Sequence, residues 1–136
     1  MSGILLDTCA CIWLLDGSLS KSARAELDRR VQRGEQIHVS AASAWEIGML
    51  FARGRIVSSL RAPEYFAQLM EPPYMRLVPA EPRLLIESNF LPGHPPRDPW
   101  DRLIAATARE AGLLLMTGDR ELLRYAESGN LRALPC

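Results

Sequence analysis

Short apolar runs alternate along this chain with longer stretches of helical period, and turn residues separate the two. Ile4-Leu5-Leu6 is apolar throughout, the pattern of a strand buried on both faces of a parallel sheet. A helix is expected from Thr8 to Leu15, stopped by Asp16-Gly17-Ser18. Ser20 reads as the N-cap of a more polar helix, Lys21 to Arg33, closed by Gly34. Ile37-His38-Val39 is a second short strand. Ser40 or Ser43 opens the next helix, which carries Trp45 to Phe51 and ends at Arg53 before Gly54. Pro63 lies near the start of a helix with Tyr65, Phe66, Leu69 and Met70, which Pro72-Pro73 terminate.

The same alternation continues to the end of the chain. Met75 to Val78 is a strand, followed by a helix from about Glu81 to Phe90. The stretch Leu91 to Arg97 holds three prolines and a glycine and cannot be helical. Asp98-Pro99-Trp100-Asp101 opens a long helix ending at Gly112, and Leu113 to Met116 is the clearest buried strand. A short helix from Arg120 to Tyr125 and a last strand near Leu131–Leu134 complete the order. Strands alternating with helices predict an α/β fold in three layers, α/β/α, around a mainly parallel sheet of four or five short strands. No repeat, linker or low-complexity segment interrupts residues 1–136, which read as one domain.

Composition narrows the function classes. The 136 residues are 48% hydrophobic and 24% charged, which excludes disordered and fibrous chains. Sixteen basic and sixteen acidic residues cancel, so any contact with a polyanion must be local. The basic side is almost all arginine, with Lys21 the single lysine; arginine forks suit phosphate and carboxylate recognition, and genome base composition produces the same bias. Cys9, Cys11 and Cys136 make neither a disulfide framework nor a zinc spacing. The N-terminus has no basic segment ahead of its apolar run, and no run approaches the roughly 18 apolar residues a bilayer span requires. The expectation is a soluble, cytoplasmic protein with reduced thiols, not attached to a membrane.

Candidate chemistry lies with the acids. In a parallel sheet, ligands bind beyond the carboxyl ends of the strands. Asp7 directly follows the first strand, and Asp119 follows the strand Leu113–Met116 after Thr117-Gly118. Glu46 lies one to two turns into the helix after the second strand, and Asp101 in the first turn of the helix before Leu113–Met116. Carboxylates converging on one rim repel unless a cation neutralises them, and oxygen ligands select hard ions such as Mg²⁺ and Mn²⁺. Each acid also has a structural reading. Asp7 and Asp119 stand where N-caps stand, Glu46 could be a solvated helix residue, and Asp98 with Pro99 at N1 places Asp101 at N3.

These segments resemble a known family. Leu5-Leu6-Asp7-Thr8, Ser43-Ala44-Trp45-Glu46-Ile47, Asp98-Pro99-Trp100-Asp101-Arg102-Leu103-Ile104-Ala105-Ala106-Thr107-Ala108 and Leu113-Leu114-Leu115-Met116-Thr117-Gly118-Asp119 are similar to PIN-domain ribonucleases. Among these, the resemblance is to VapC toxins of type II toxin–antitoxin modules, and it runs in order over nearly the whole chain. It implies a PIN-like α/β/α domain and a Mg²⁺- or Mn²⁺-dependent endoribonuclease, a hydrolase of RNA phosphodiester bonds. Asp7, Glu46, Asp101 and Asp119 would be the catalytic and metal-binding quartet, with Thr8, Asp98 and Thr117 in support. Many relatives carry a lysine a few residues after the glutamate, where this chain has Leu50.

Partners are implied as well. Arg97, Arg102 and Arg120 lie near the rim in sequence and are candidates for RNA phosphate contacts. His94, in the proline-rich loop, is left out of the candidate site. Trp45, Met49, Phe51, Tyr65, Phe66, Leu69 and Met70 put many large apolar groups on a short helical hairpin, more than a core requires, which suggests a groove for a partner helix. The resemblance makes that partner a cognate VapB-like antitoxin protein and implies a homodimer. Two rival readings remain. A receiver-like Mg²⁺-dependent phosphoacceptor domain wants a lysine after a late strand, which this chain lacks, and a non-catalytic binding module would be favoured had any of the four acids been missing.

Overall fold

A computed structural model describes residues 3–136. Five strands make one all-parallel sheet: β1 (Ile4–Leu6), β2 (Ile37–Ser40), β3 (Met75–Val78), β4 (Leu114–Thr117) and β5 (Ala133–Pro135). Between them run α1 (Thr8–Asp16), α2 (Lys21–Gln32), α3 (Ala41–Ala52), α4 (Ala62–Met70), α5 (Pro82–Glu87), α6 (Pro99–Ala111) and α7 (Arg120–Glu127). The three-layer α/β architecture read from the alternation is the one observed. Among the described residues no helix is long and apolar enough to cross a membrane.

The spatial order is β3-β2-β1-β4-β5. The chain winds outward from β1 to β3, then returns to place β4 on the other side of β1. The winding therefore reverses between β1 and β4, where Leu6 pairs with Met116. Such a switch point opens a crevice beyond the carboxyl ends of the two strands, because the connections leave them in opposite directions.

Alternation along the strands separates the two faces. Ile4 and Leu6 join Ala10 and Cys11 of α1, Leu27 of α2, Ile47 of α3 and Leu69 of α4 in one core. Leu5 and Leu115 point the other way, onto Ile104 and Ala108 of α6 and Leu122 and Tyr125 of α7. Leu84 of α5 packs on Leu103 and Ala106 of α6 in a smaller cluster. Tyr65 and Leu69, placed in a partner groove by their pattern, are buried, and Phe51, Phe66 and Met70 pack partly buried against the same core. The reason is topological: α4 has one apolar stripe, and the sheet face above β2 and β3 needs it.

Several boundaries differ from the sequence reading by one to three residues. Helix α5 ends at Glu87 rather than Phe90, because Ser88 and Asn89 donate side-chain hydrogen bonds to the Leu85 carbonyl, at 2.6 and 3.2 Å, and close the helix. Strand β4 starts at Leu114, since the Leu113 amide still donates to Ala108 O at 2.9 Å across Gly112, whose φ of 64° lies in the left-handed region. Strand β5 is Ala133–Pro135, while Leu131 is buried in the second core. The cysteines are free thiols, as expected.

The proline loop is tied down by Tyr125, whose hydroxyl donates to Pro92 O at 2.6 Å. Replacing Tyr125 with Phe leaves that carbonyl without its partner, and such a loss costs about 1–3 kcal/mol. Urea denaturation should show a lower midpoint with an unchanged slope, and limited proteolysis should cut faster within residues 91–97.

Candidate active site

The site is assembled on the carboxyl ends of β1 and β4. Asp7 directly follows strand β1, and its amide donates to Met116 O at 3.1 Å, locking the acid beside β4. Asp7 is also the N-cap of α1: one carboxylate oxygen accepts from the Ala10 amide at 2.8 Å. Its other oxygen accepts a short hydrogen bond from the Thr117 hydroxyl, at the end of β4. That same hydroxyl oxygen accepts from the Asp119 amide at 3.0 Å. Thr117 thus ties Asp7 to the segment carrying Asp119, and the rim loses its shape without it.

Asp119 repeats the device on α7. Its Oδ1 accepts from the Leu122 amide at 3.0 Å, while Oδ2 has no hydrogen bond among the described residues. The turn between them is tight because Gly118 lies under Trp13 of α1: a Cβ at that position would come within 2.6 Å of the indole. Glycine is needed there for close approach.

Asp98 caps α6, accepting from the Asp101 amide at 3.3 Å, with Pro99 at N1 and Asp101 at N3. The register read from Asp-Pro is therefore correct. Asp98 carries the cap, and the Asp101 carboxylate accepts no hydrogen bond and joins no ion pair among the described residues. Glu46, on α3, is held by the Thr8 hydroxyl, 2.5 Å from Oε1. Thr8 is in turn 3.0 Å from the hydroxyl of Ser43, one turn before Glu46 on the same helix face. Ser43 is wholly buried; the sequence reading has it as a possible helix start, which is Ser40, and in a motif, but not as a support for Glu46. Its i, i+3 spacing to Glu46 was the available signal.

The electrostatics show that the quartet converges. Burial raises Asp7 above its ordinary value, with Asp119 adding to it and the Thr117 hydrogen bond opposing. Burial likewise raises Glu46, against the Thr8 hydrogen bond, and Asp98 and Asp7 contribute. Asp101 is pushed up to about 8 by burial and then by Asp119, Asp98, Glu46 and Asp7. The Cys9 thiol, beside Asp7, reports the same field: desolvation and then Asp7, Glu46, Asp119 and Asp101 lift it to about 11.

No lysine or arginine pairs with any of these acids among the described residues. The acids act on one another through space rather than as a closed cage: no three His, Cys, Asp or Glu side chains form a ready-made metal-binding group among those residues. The donors are all carboxylate oxygens, the chemistry that hard divalent cations require.

The remaining candidates separate. Arg97 and Arg120 are exposed and have no ion pair among the described residues. Arg102 donates from Nε to Pro96 O at 2.6 Å, so part of its fork fastens the proline loop. His94 lines a separate cavity with Tyr125 and Arg124, one that contains none of the four acids. Trp45 stands apart from the buried side of the α3–α4 hairpin: it is 55% exposed and stacks on Trp100 of α6.

Fold and site together define an α/β protein with an acidic centre at the switch point of a parallel sheet. The PIN domain pattern matches residues 4–128, and the chain belongs to the PIN-domain family. It is 32% identical over 122 residues to Ribonuclease VapC22 of Mycobacterium tuberculosis (strain ATCC 25618 / H37Rv), covering 90% of this chain and 91% of that protein. Among solved structures, DNA-bound VapBC from Salmonella typhimurium superposes with a TM-score of 0.72 at 17% identity, covering 99% of this chain and 98% of the other. VapBC2 from Rickettsia felis, bound to a promoter DNA fragment, gives 0.68 at 13% identity, with 97% and 98% covered.

The raised carboxyl groups make stability depend on pH. Between the ordinary carboxylate range and about 8, the unfolded chain ionises while folded Asp101 keeps its proton, so stability falls as pH rises. In EDTA, the melting temperature should drop between about pH 5 and about pH 8. Asp101→Asn should flatten that decline. A parent curve that is level or rises over this interval would refute the assignment.

Proposed function

We propose that this chain is a Mg²⁺- or Mn²⁺-dependent endoribonuclease, the toxin of a VapBC-type toxin–antitoxin module. The observation that carries the reading is the set of four acids from four elements, coupled to one another and paired with no cation. The likeness to a named ribonuclease over 90% of the chain supports RNA as the substrate.

Asp7, Glu46, Asp101 and Asp119 would hold the ion. Such an ion would supply Lewis acidity, acidifying a bound water and offsetting negative charge that develops on the phosphate. The protein's own part is positioning and charge. Thr117 turns one oxygen of Asp7 away from the helix cap, and Thr8 with Ser43 holds Glu46 in place. Asp101 and the free oxygen of Asp119 complete the donor set. Arg97 and Arg120, exposed near the rim, suit flanking phosphates. No serine or histidine nucleophile is needed.

The partner surface is proposed on the α3–α4 connection rather than on α4 itself. Val57, 95% exposed, lies in that connection with Ile56 and Leu60, beside Ile12 and Leu15 of α1 and a cavity of about 370 Å³. VapBC complexes among the fold's neighbours support an antitoxin as the partner, and the exposed apolar Val57 is the reason for placing it here. A homodimer is proposed as well, supported by the exposed apolar side chains of Ile86 and Phe90 around the end of α5.

Two experiments test these readings. Purified protein free of any antitoxin should cleave RNA with Mn²⁺ or Mg²⁺ and stop in EDTA. Asp101→Asn should abolish cleavage with the fold intact. Asp98→Asn should cost no more than about 0.5 kcal/mol, since Asn also caps well, and keep most activity. Intact RNA under both metals would end the enzymatic reading. Separately, Val57→Asp should weaken antitoxin binding in a titration without lowering nuclease activity, and unchanged binding would move the antitoxin elsewhere.

A further inference from the structure

Two tryptophans flank the acidic centre, each immediately before one of its acids. Trp45 precedes Glu46 on α3, and Trp100 precedes Asp101 on α6. Their rings stack with centroids 4.9 Å apart and planes inclined by 26°. Trp45 is 55% exposed, while Trp100 is half-buried and packs on the small cluster around Leu84 and Leu103, so one indole faces solvent on a fixed aromatic base. Neither indole is needed to cap a helix or close the sheet.

Trp100 also lines a cavity of about 260 Å³ with Leu85, Asn89, Arg97, Arg102 and Leu103. Its chemistry is distinct from that of the acidic centre. No carboxylate lines it, and two arginines do. Arg102 is held through Nε at Pro96 O, which leaves its terminal nitrogens without a partner among the described residues. Arg97 is exposed and unpaired there too. Asn89 spends its amide hydrogens on the carbonyls of Leu85 and Ile86, leaving the side-chain oxygen as an acceptor facing no donor.

An exposed indole stacked on a half-buried one, guanidinium donors without a partner among the described residues and one amide acceptor beside an acidic centre match one kind of ligand. Unpaired nucleobases stack on aromatic faces, and their edges carry both donors and acceptors, while their phosphates seek arginine forks. A paired duplex keeps its bases stacked on each other and cannot offer a face.

We propose that Trp45, stacked on Trp100, and the adjoining cavity form a subsite that grips one base next to the cleaved bond. This rests on the ribonuclease reading and adds to it the residues that hold a base beside the cleaved bond. Trp45 and Trp100 are positioning residues: they place the strand so that a phosphate lies over the carboxylates.

The test compares an unstructured oligoribonucleotide with the same strand made abasic at the nucleotide flanking the cleaved bond. Cleavage with Mn²⁺ gives kcat and KM, and fluorescence anisotropy in EDTA gives affinity. Stacking on an aromatic side chain is worth about 1–3 kcal/mol per base, so Trp45→Ala or Trp100→Ala should raise KM and Kd for the intact strand by roughly 5- to 150-fold. The abasic strand should bind the parent and the variants alike, and Trp100→Phe should restore much of the loss. Arg97→Ala should weaken both strands equally, as a phosphate contact would.

The proposal is overturned if the tryptophan variants handle intact and abasic strands as the parent does, or lose affinity for both by the same factor. It is also overturned if Trp45→Ala leaves RNA unaffected and weakens antitoxin binding, which makes the face a protein contact. A parent that binds the intact strand better than the abasic one but cleaves neither would keep the subsite and sink the nuclease reading.

Discussion

The hydroxyl of Thr117 is the link on which the site depends. It donates to one oxygen of buried Asp7 and accepts from the amide of Asp119, joining the ends of two adjacent strands through one atom. Asp7 is only 5% exposed, and a carboxylate so placed is tolerable only if its oxygens are satisfied. The Ala10 amide takes one oxygen and Thr117 the other. The rim can therefore hold an acid at the switch point of the sheet without a basic residue beside it. A lysine or arginine there would stabilise the apoprotein and consume the charge that the site offers to a cation.

Helix capping and site building use the same side chains. Asp7, Asp98 and Asp119 each accept from an amide two or three residues into the following helix, and this fixes their direction in advance of any ligand. The caps share the work unequally. Asp98 is committed to α6, and that leaves the Asp101 carboxylate, one turn on, without a hydrogen bond among the described residues and strongly raised in pKa. Asp119 divides its two oxygens between α7 and the rim. Glu46 caps nothing and is steadied by the Thr8 and Ser43 hydroxyls. Short polar side chains around the carboxylates orient them without neutralising them.

Apolar surface is divided by the same logic. Two sheet faces must be covered in a chain of 136 residues, and α4 gives Tyr65 and Leu69 to that task. Besides Ile86 and Phe90 near the end of α5, two apolar surfaces remain outside: the α3–α4 connection around Val57, and Trp45 stacked on the half-buried Trp100. The two surfaces lie on different elements and differ in chemistry, one apolar beside α1 and the other aromatic and arginine-lined beside α6.

Local signals in the sequence determined the elements and the identity of the acids. Strand runs such as Ile4–Leu6, caps such as Ser20 and Asp98, and stops such as Gly17 and Gly112 act over a few residues, so they can be read without knowing the fold. Asp7 and Asp119 could be named because each follows a strand, Asp101 because it opens a helix, and Glu46 because it lies on the helix that leaves the second strand. Ends of elements were less legible where side chains compete with the backbone, as Ser88 and Asn89 do at α5. Tertiary structure alone decided the rest. Strand order puts Asp7 and Thr117, separated by 110 positions, within one hydrogen bond. Packing took Tyr65 into the core and paired Trp45 with Trp100. Ser43 acquired its role only when α1 brought Thr8 against α3. These are contacts between distant segments, and their energies depend on desolvation and proximity that only the assembled sheet and its helices create.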